Sequence, residues 1–291
     1  MNIEECRRFY AEEVQLSSNI QSPALVEAFA CVPREKFLGP GLWLIGSAEA
    51  RSMSVMGAIQ MSYITVEDPR KLYHNVVVAV DREKDINNGQ PGALGRWIDA
   101  LDLKAGERVY HLGCGIGYYT AILAEMVGPS GSVVAIDLNT ELAARAQTNL
   151  TDYPNVTIQT GDGAEFHPGP CDAMLINAGM THPTPLLLDC LSKNGRMLVP
   201  LTMARNATFG VGVMARVTRR DPGLSIEVVT SLAIYSCRNA RDPEREQPLK
   251  AAMTKGRLMQ MKSVRRDVHD QADSCVLHGP DVCLSTAAIE Y

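Results

Sequence analysis

The chain has 291 residues, a net charge of -5 and 46% hydrophobic residues, enough apolar material for one sizeable α/β core with at most a small appendage. The mild acidity argues against a broad phosphate-binding surface, so no nucleic-acid partner is expected. The eight cysteines are scattered without a CxxC pair, which in a chain this long fits reduced thiols in the cytoplasm better than a disulfide framework. Residues 1–10 are charged and lack an apolar signal core. No apolar run approaches the roughly 20 residues that span a bilayer, so no membrane association is expected.

Residues 1–38 read as helical. Glu4 to Leu16 mixes charged and apolar residues at helical spacing, and Ser22-Pro23 opens a second helix through Ala30, with Ser22 as N-cap and Pro23 at the first helical position. Residues 39–85 carry little pattern apart from a strand at Val76–Val80. Met53, Met56 and Met61 in that stretch could fill core or form an adaptable peptide-binding surface. A loop at Asp85–Gly92 precedes a helix at Ala93–Leu103.

From Glu107 strand and helix alternate. Strands are predicted at Arg108–Leu112, Ser132–Asp137, Val156–Thr160, Asp172–Asn177 and Gly195–Leu201, with helices at Tyr118–Val127, Thr140–Leu150 and Pro185–Leu191. This rhythm predicts a Rossmann-like α/β fold with a central, mostly parallel sheet and helices on both faces. Thr208–Thr218 and Leu224–Ile234 read as an antiparallel edge. The predicted organisation is a helical, substrate-side segment at 1–85, a Rossmann-like domain at 86–239 and a C-terminal extension at 240–291. The short basic cluster Lys262–Arg266 reads as a solvated face.

The strongest motif is His111-Leu112-Gly113-Cys114-Gly115-Ile116-Gly117-Tyr118, between a predicted strand and a predicted helix. Glycines let the backbone approach a ligand closely, and the helix start faces an anion with unpaired N–H groups. A dinucleotide fingerprint needs a further glycine where Tyr118 stands. Gly113, Gly115 and Gly117 fit the nucleoside-binding turn of class I methyltransferases better, with a methionine carboxylate as the anion. Asp137, followed by Leu138, ends the next strand, where a carboxylate can accept from both ribose hydroxyls. Asp162-Gly163 follows the third strand, at the place of an adenine contact. Asn177 closes the fourth strand and could line the transfer pocket; the same residue could equally be a plain strand-to-loop turn. His182 and Thr202 are further pocket candidates. Of Tyr118 and Tyr119, one would pack on the ligand and one in the core. Cys114 has nothing near it in sequence to activate a thiolate.

The chain resembles the protein-L-isoaspartate O-methyltransferase family at several points. Val32-Pro33-Arg34-Glu35-Lys36-Phe37-Leu38 is similar to its VPRExF signature, and Gln90-Pro91 sits where the family has Ser-Gln-Pro. Gly113–Tyr118, Asp162-Gly163 and Gly195–Pro200 resemble its later motifs. The resemblance implies methyl transfer from S-adenosyl-L-methionine to a carboxylate of a protein or peptide, of isoaspartyl, aspartyl or C-terminal type. A carboxylate with pKa near 4 is already an anion at neutral pH, so the lack of a base motif does not count against this reaction. The alternatives are a small-molecule methyltransferase and a non-catalytic S-adenosylmethionine-binding module.

Two departures bear on the site. Gly89 replaces the serine before Gln-Pro, so the acceptor loop Asn88-Gly89-Gln90 either offers Asn87 or Asn88 amide donors or uses Gly89 for a turn with positive φ. His111 replaces an acidic residue that would order the ligand's ammonium; a neutral imidazole could accept one hydrogen bond there, or pack beneath the ligand with no role. His269, Cys275, His278 and Cys283 contain a Cys-x2-His spacing, but the outer spacings are loose. Isolated His and Cys are the default reading, so no metal is expected. The sequence carries no signal for oligomeric state.

Overall fold

A computed structural model describes residues 1–53 and 59–289, without side chains at 47–53 and 59–61. Met56, and the side chains of Met53 and Met61, therefore lie outside the described residues. Helices α1 (Ile3–Ser18), α2 (Pro23–Cys31) and α3 (Arg34–Leu38) open the chain. Asn2 and Glu5 form a reciprocal capping box on α1, and Ser22 caps α2 through the Leu25 amide with Pro23 in the first turn.

The helical character ends at Leu38. Strands β1 (Trp43–Met53), β2 (Ile59–Val66), β3 (Val77–Asp81) and β4 (Ile86–Asn87) form a four-stranded antiparallel sheet in the order β2-β1-β3-β4. The expectation of a helical segment through residue 85 fails here, and β4 runs past that boundary. Alternation was hard to see because the sheet is only partly buried: Ile45 is covered while Ile64 on the facing strand is exposed.

Helix α4 (Pro91–Ala100) follows, and then β5 (Arg108–Leu112), α5 (Tyr118–Val127), β6 (Ser132–Asp137), α6 (Thr140–Asn149), β7 (Val156–Thr160), β8 (Cys171–Ile176), α7 (Pro185–Asp189), β9 (Leu191–Ala204), β10 (Phe209–Arg219) and β11 (Leu224–Tyr235). The chain ends with α8 (Pro243–Thr254), β12 (Ser263–Arg265), β13 (Cys275–Leu277) and β14 (Cys283–Ser285). The main sheet has ten strands in the order β13-β14-β12-β11-β10-β9-β8-β5-β6-β7. Pairs among β5–β9 are parallel, and those from β9 outward to β13 are antiparallel. The parallel half is the predicted Rossmann-like core. The antiparallel half runs beyond the expected two strands, because the C-terminal extension adds three more to the same sheet.

Strand alternation divides the core by face. Val109, Val133, Ala135 and Leu175 pack toward α5 and the N-terminal helices, whereas Tyr110, Ile136, Met174 and Ile176 face α7 and the extension. Leu249 of α8 and Leu277 and Leu284 of the last strands belong to this second cluster. No helix among the described residues is long and apolar enough to cross a membrane.

Candidate active site

The glycine turn leaves β5 and enters α5. Gly113, Gly115 and Gly117 all have positive φ, at 77°, 56° and 90°. At Gly113 a Cβ would stand 3.2 Å from the Asn177 carbonyl oxygen, so a side chain there would strain the backbone and crowd the end of β8. Asp137 closes the turn. Its Oδ2 accepts from the Gly115 amide at 2.8 Å and its Oδ1 from the Asn139 amide at 2.9 Å. Burial raises the Asp137 pKa against these two bonds, which lower it.

His111 lies at the level of the turn but behind it. It is fully buried, with Nδ1 2.9 Å from Thr120 Oγ1 and Nε2 2.8 Å from Asn177 Nδ2. The amide hydrogen can only be donated, so Nε2 accepts and Nδ1–H donates to Thr120. Desolvation pushes the His111 pKa down to about 3, so the ring is neutral. This bond orients the Asn177 amide and leaves its Oδ1 buried without a partner among the described residues. His111, expected to meet a ligand directly, is instead bonded to Thr120 and Asn177 and does not line the cavity described next. The sequence motif held no sign of that, because the two residues meet only when β5 and β8 pair.

A cavity of about 360 Å³ joins this end of the sheet to the acceptor loop. Gly113, Cys114, Gly115, Ile116, Tyr118, Tyr119 and Asn177 line one side, and Asn87, Asn88, Gly89 and Gln90 line the other. Gly117, Asp137, Leu138, Asp162 and Gly163 are not in its lining. Leu138 is exposed, and Asp162 accepts from the Ala164 amide at 2.8 Å and from Asn239 Nδ2 at 2.5 Å. The two tyrosines are both buried; Tyr118 bonds Tyr10 hydroxyl to hydroxyl at 3.2 Å, and the Tyr119 hydroxyl donates to the Gly89 carbonyl at 3.4 Å. Burial, and next to it the Asp137 carboxylate, raise the Cys114 thiol pKa far from the nucleophilic range.

In the acceptor loop Gly89 has φ of 75°, and its amide donates to Asn87 Oδ1 at 2.9 Å. The turn reading of Gly89 therefore holds. Asn88 Oδ1 accepts from the Val78 amide at 2.9 Å and from Arg34 at 3.4 Å, which leaves Nδ2 buried and unpartnered among the described residues. Gln90 is the N-cap residue of α4, and among the described residues its side chain reaches only the Asn75 carbonyl, at 3.4 Å. Arg34, from the VPRExF-like signature, is fully buried and donates to the carbonyls of Leu72, His74 and Val76. It ties α3 to the segment leading into β3 and to the acceptor loop.

Sequence reasoning missed Arg96 and Trp97 of α4 and Thr230, Ser231 and Tyr235 of β11, all in the cavity lining. Arg96 is exposed and is the only charged residue among the described lining. Within α4 it belongs to no motif, and it gives no signal until that helix packs beside the glycine turn. His182 and Thr202 do not reach the cavity. Thr202 is fully buried and accepts from Arg241 at 3.1 Å, and His182 Nδ1 lies 3.0 Å from Thr181 Oγ1, beneath the start of the extension. Nor are His269, Cys275, His278 and Cys283 isolated, since their ligand atoms lie within 4.8 Å of one another.

A family model described as protein-L-isoaspartate(D-aspartate) O-methyltransferase matches residues 45–235. The protein-L-isoaspartate O-methyltransferase of Aeropyrum pernix is 32% identical over 206 residues, covering 68% of this chain and 67% of that protein. Protein-L-isoaspartate O-methyltransferase 1 of an Anaeromyxobacter species is 32% identical over 201 residues, covering 63% of this chain and 91% of that protein. A solved protein-L-isoaspartate O-methyltransferase superposes with a TM-score of 0.63 at 20% identity, over 85% of this chain and 69% of its own. A Plasmodium falciparum structure titled as a putative member, in complex with S-adenosyl-L-homocysteine, gives 0.51 at 16% identity, over 80% of this chain and 99% of its own. The family match ends where β11 ends, and the extension lies beyond it. The chain therefore belongs to the protein-L-isoaspartate(D-aspartate) O-methyltransferase family, the S-adenosylmethionine-dependent enzymes of class I fold that methylate protein carboxylates.

Proposed function

We propose that the cavity between the glycine turn and the acceptor loop is the transfer chamber, and that its acceptor is a carboxylate carried on a peptide. The carrying observation is the continuity of that cavity, with the Asn177 end and the Asn88 end opening into one space. S-adenosylmethionine, when bound, supplies a methyl group on a positively charged sulfur. The residues fit it: the positive-φ glycines keep side chains out of the turn, Asn177 Oδ1 is an unspent acceptor for an ammonium, and Asp137 retains lone pairs for ribose hydroxyls. Asp162-Gly163 would border the adenine, with Leu138 beside Asp137.

On the acceptor side, Asn88 Nδ2 is an unspent donor and Arg96 is a cation at the rim, next to exposed Ser231 and Ala233 of β11. Together they would hold a carboxylate while the apolar walls of Leu94, Trp97 and Ile234 displace its water. No proton has to leave, so the chain needs to align and desolvate an existing anion. An exposed rim suits a peptide better than an enclosed small molecule.

The test is methylation of paired peptides containing Asp or isoAsp, read by mass spectrometry with wild type and Arg96→Ala. One added methyl on a peptide carboxylate is expected, with KM for the peptide raised about tenfold in the variant, the loss of one charge-assisted contact. No methylation of any carboxyl peptide, alongside measurable S-adenosylhomocysteine binding, would overturn the acceptor assignment.

A further inference from the structure

Four side chains at the far end of the molecule take no part in the transfer site. His269 follows β12, Cys275 opens β13, His278 follows β13 and Cys283 opens β14. Each offers one nitrogen or sulfur, and these atoms all lie within 4.8 Å of one another. The His269 Nε2 to Cys275 Sγ distance is 3.6 Å. Zinc bonds of about 2.3 Å to sulfur and 2.05 Å to nitrogen set tetrahedral S···N edges of about 3.6 Å. We propose that this cluster is a closed, structural zinc site that locks the C-terminal hairpin onto the sheet.

The surroundings are arranged as outer support for ligands. His269 Nδ1 lies 2.8 Å from the Asp267 carbonyl, which accepts its N–H and leaves Nε2 with its lone pair toward Cys275. The Ala272 amide donates to Cys275 Sγ at 3.4 Å, a bond suited to a thiolate. His278 Nδ1 is buried and has no hydrogen-bond partner among the described residues; a metal would satisfy it. Arg245 holds the loop between His278 and Cys283 by donating to the Val282 carbonyl at 3.2 Å and packing on Gly279.

Two thiolates and two imidazoles select zinc over magnesium or calcium, which take oxygen ligands. Loading releases the two thiol protons to solvent, and no electron moves. With all four positions filled by the chain there is none for a substrate, which makes the site structural. A Cys275–Cys283 disulfide is the competing arrangement, but it would leave the buried His278 nitrogen unexplained.

The experiment is elemental analysis of the purified full chain, followed by cobalt exchange. About one zinc per chain is expected, and the cobalt form should show tetrahedral d–d bands with thiolate charge transfer. Cys283→Ser and His278→Ala should each lose most of the metal, while S-adenosylhomocysteine affinity stays at the wild-type value in any variant that folds. Should both variants aggregate, the wild type still decides: a chelator should lower its melting temperature by roughly 5 °C or more, and zinc should restore it. A wild-type chain that takes up no zinc when reduced, or that shows a Cys275–Cys283 disulfide by mass, would overturn the site.

Discussion

His111 shows how one substitution relative to the family pattern is absorbed by its neighbours. Its ring stays neutral because it is sealed between Thr120 and Asn177, and it accepts the one bond that aims Asn177 Oδ1. The unfolded chain binds a proton at this position below pH 6.5, while the folded chain refuses it until about 3. Stability from this group is therefore complete above pH 6.5 and is lost as pH falls toward 3. At pH 5 the loss amounts to about 2 kcal/mol. His111→Asn should remove that part of the acid sensitivity, seen as a smaller difference in urea unfolding between pH 7 and pH 5. An unchanged difference would mean that the imidazole is solvated. His182, held down to about 4 mainly by burial, acts in the same sense but is present in both proteins and cancels. At Asp137 the prediction concerns binding: Asp137→Ala should weaken S-adenosylhomocysteine about 10- to 100-fold by calorimetry, since a charged acceptor is worth about 1.5–3 kcal/mol. Equal affinity would remove Asp137 from the ribose contact.

At the scale of elements, the acceptor loop is defined by its backbone more than by its side chains. Gly89 sits at φ 75° between an Asn87 turn and the start of α4, and a Cβ there would come within 2.9 Å of Leu94 Cδ2. Restoring the family's serine by Gly89→Ser therefore places a side chain in a left-handed conformation and against α4. A stability loss of about 1–2 kcal/mol is expected, together with a lower kcat toward every carboxyl peptide. A gain toward isoAsp peptides without destabilisation, measured by melting and mass spectrometry, would show that the hydroxyl outweighs the turn. Two arginines from the family-like motifs work as clamps between elements. Arg34 gathers the carbonyls of Leu72, His74 and Val76. Arg196 of β9 pairs with Glu107 at 2.6 Å and donates to the Leu101 and Asp102 carbonyls, fixing the entry to β5. These motifs were legible as signatures, but their work is long-range and appears only once the partners are in place.

For the whole molecule, the chain beyond β11, including the extension, is part of the main core. Asn239 reaches Asp162, Thr181 donates its amide to the Ala240 carbonyl at 3.2 Å, and Arg241 donates to Thr202. Leu249 is fully buried in the same cluster as Ile176 and Met197. Leu249→Ala should cost about 3 kcal/mol within a single cooperative melt; a melt split into two transitions would show an independent lobe. By itself the sequence determined the strands and helices of the parallel half, several to the residue, because buried parallel strands and capped helices write their signals locally. It also determined the glycine turn and the family. Tertiary structure alone decided the rest: the four-stranded sheet at 43–87, the Asn177 acceptor aimed by His111, Arg96 at the cavity rim and the His-Cys cluster. Each depends on side chains brought together by strand pairing or helix docking across long stretches of chain, and no local periodicity encodes such a meeting.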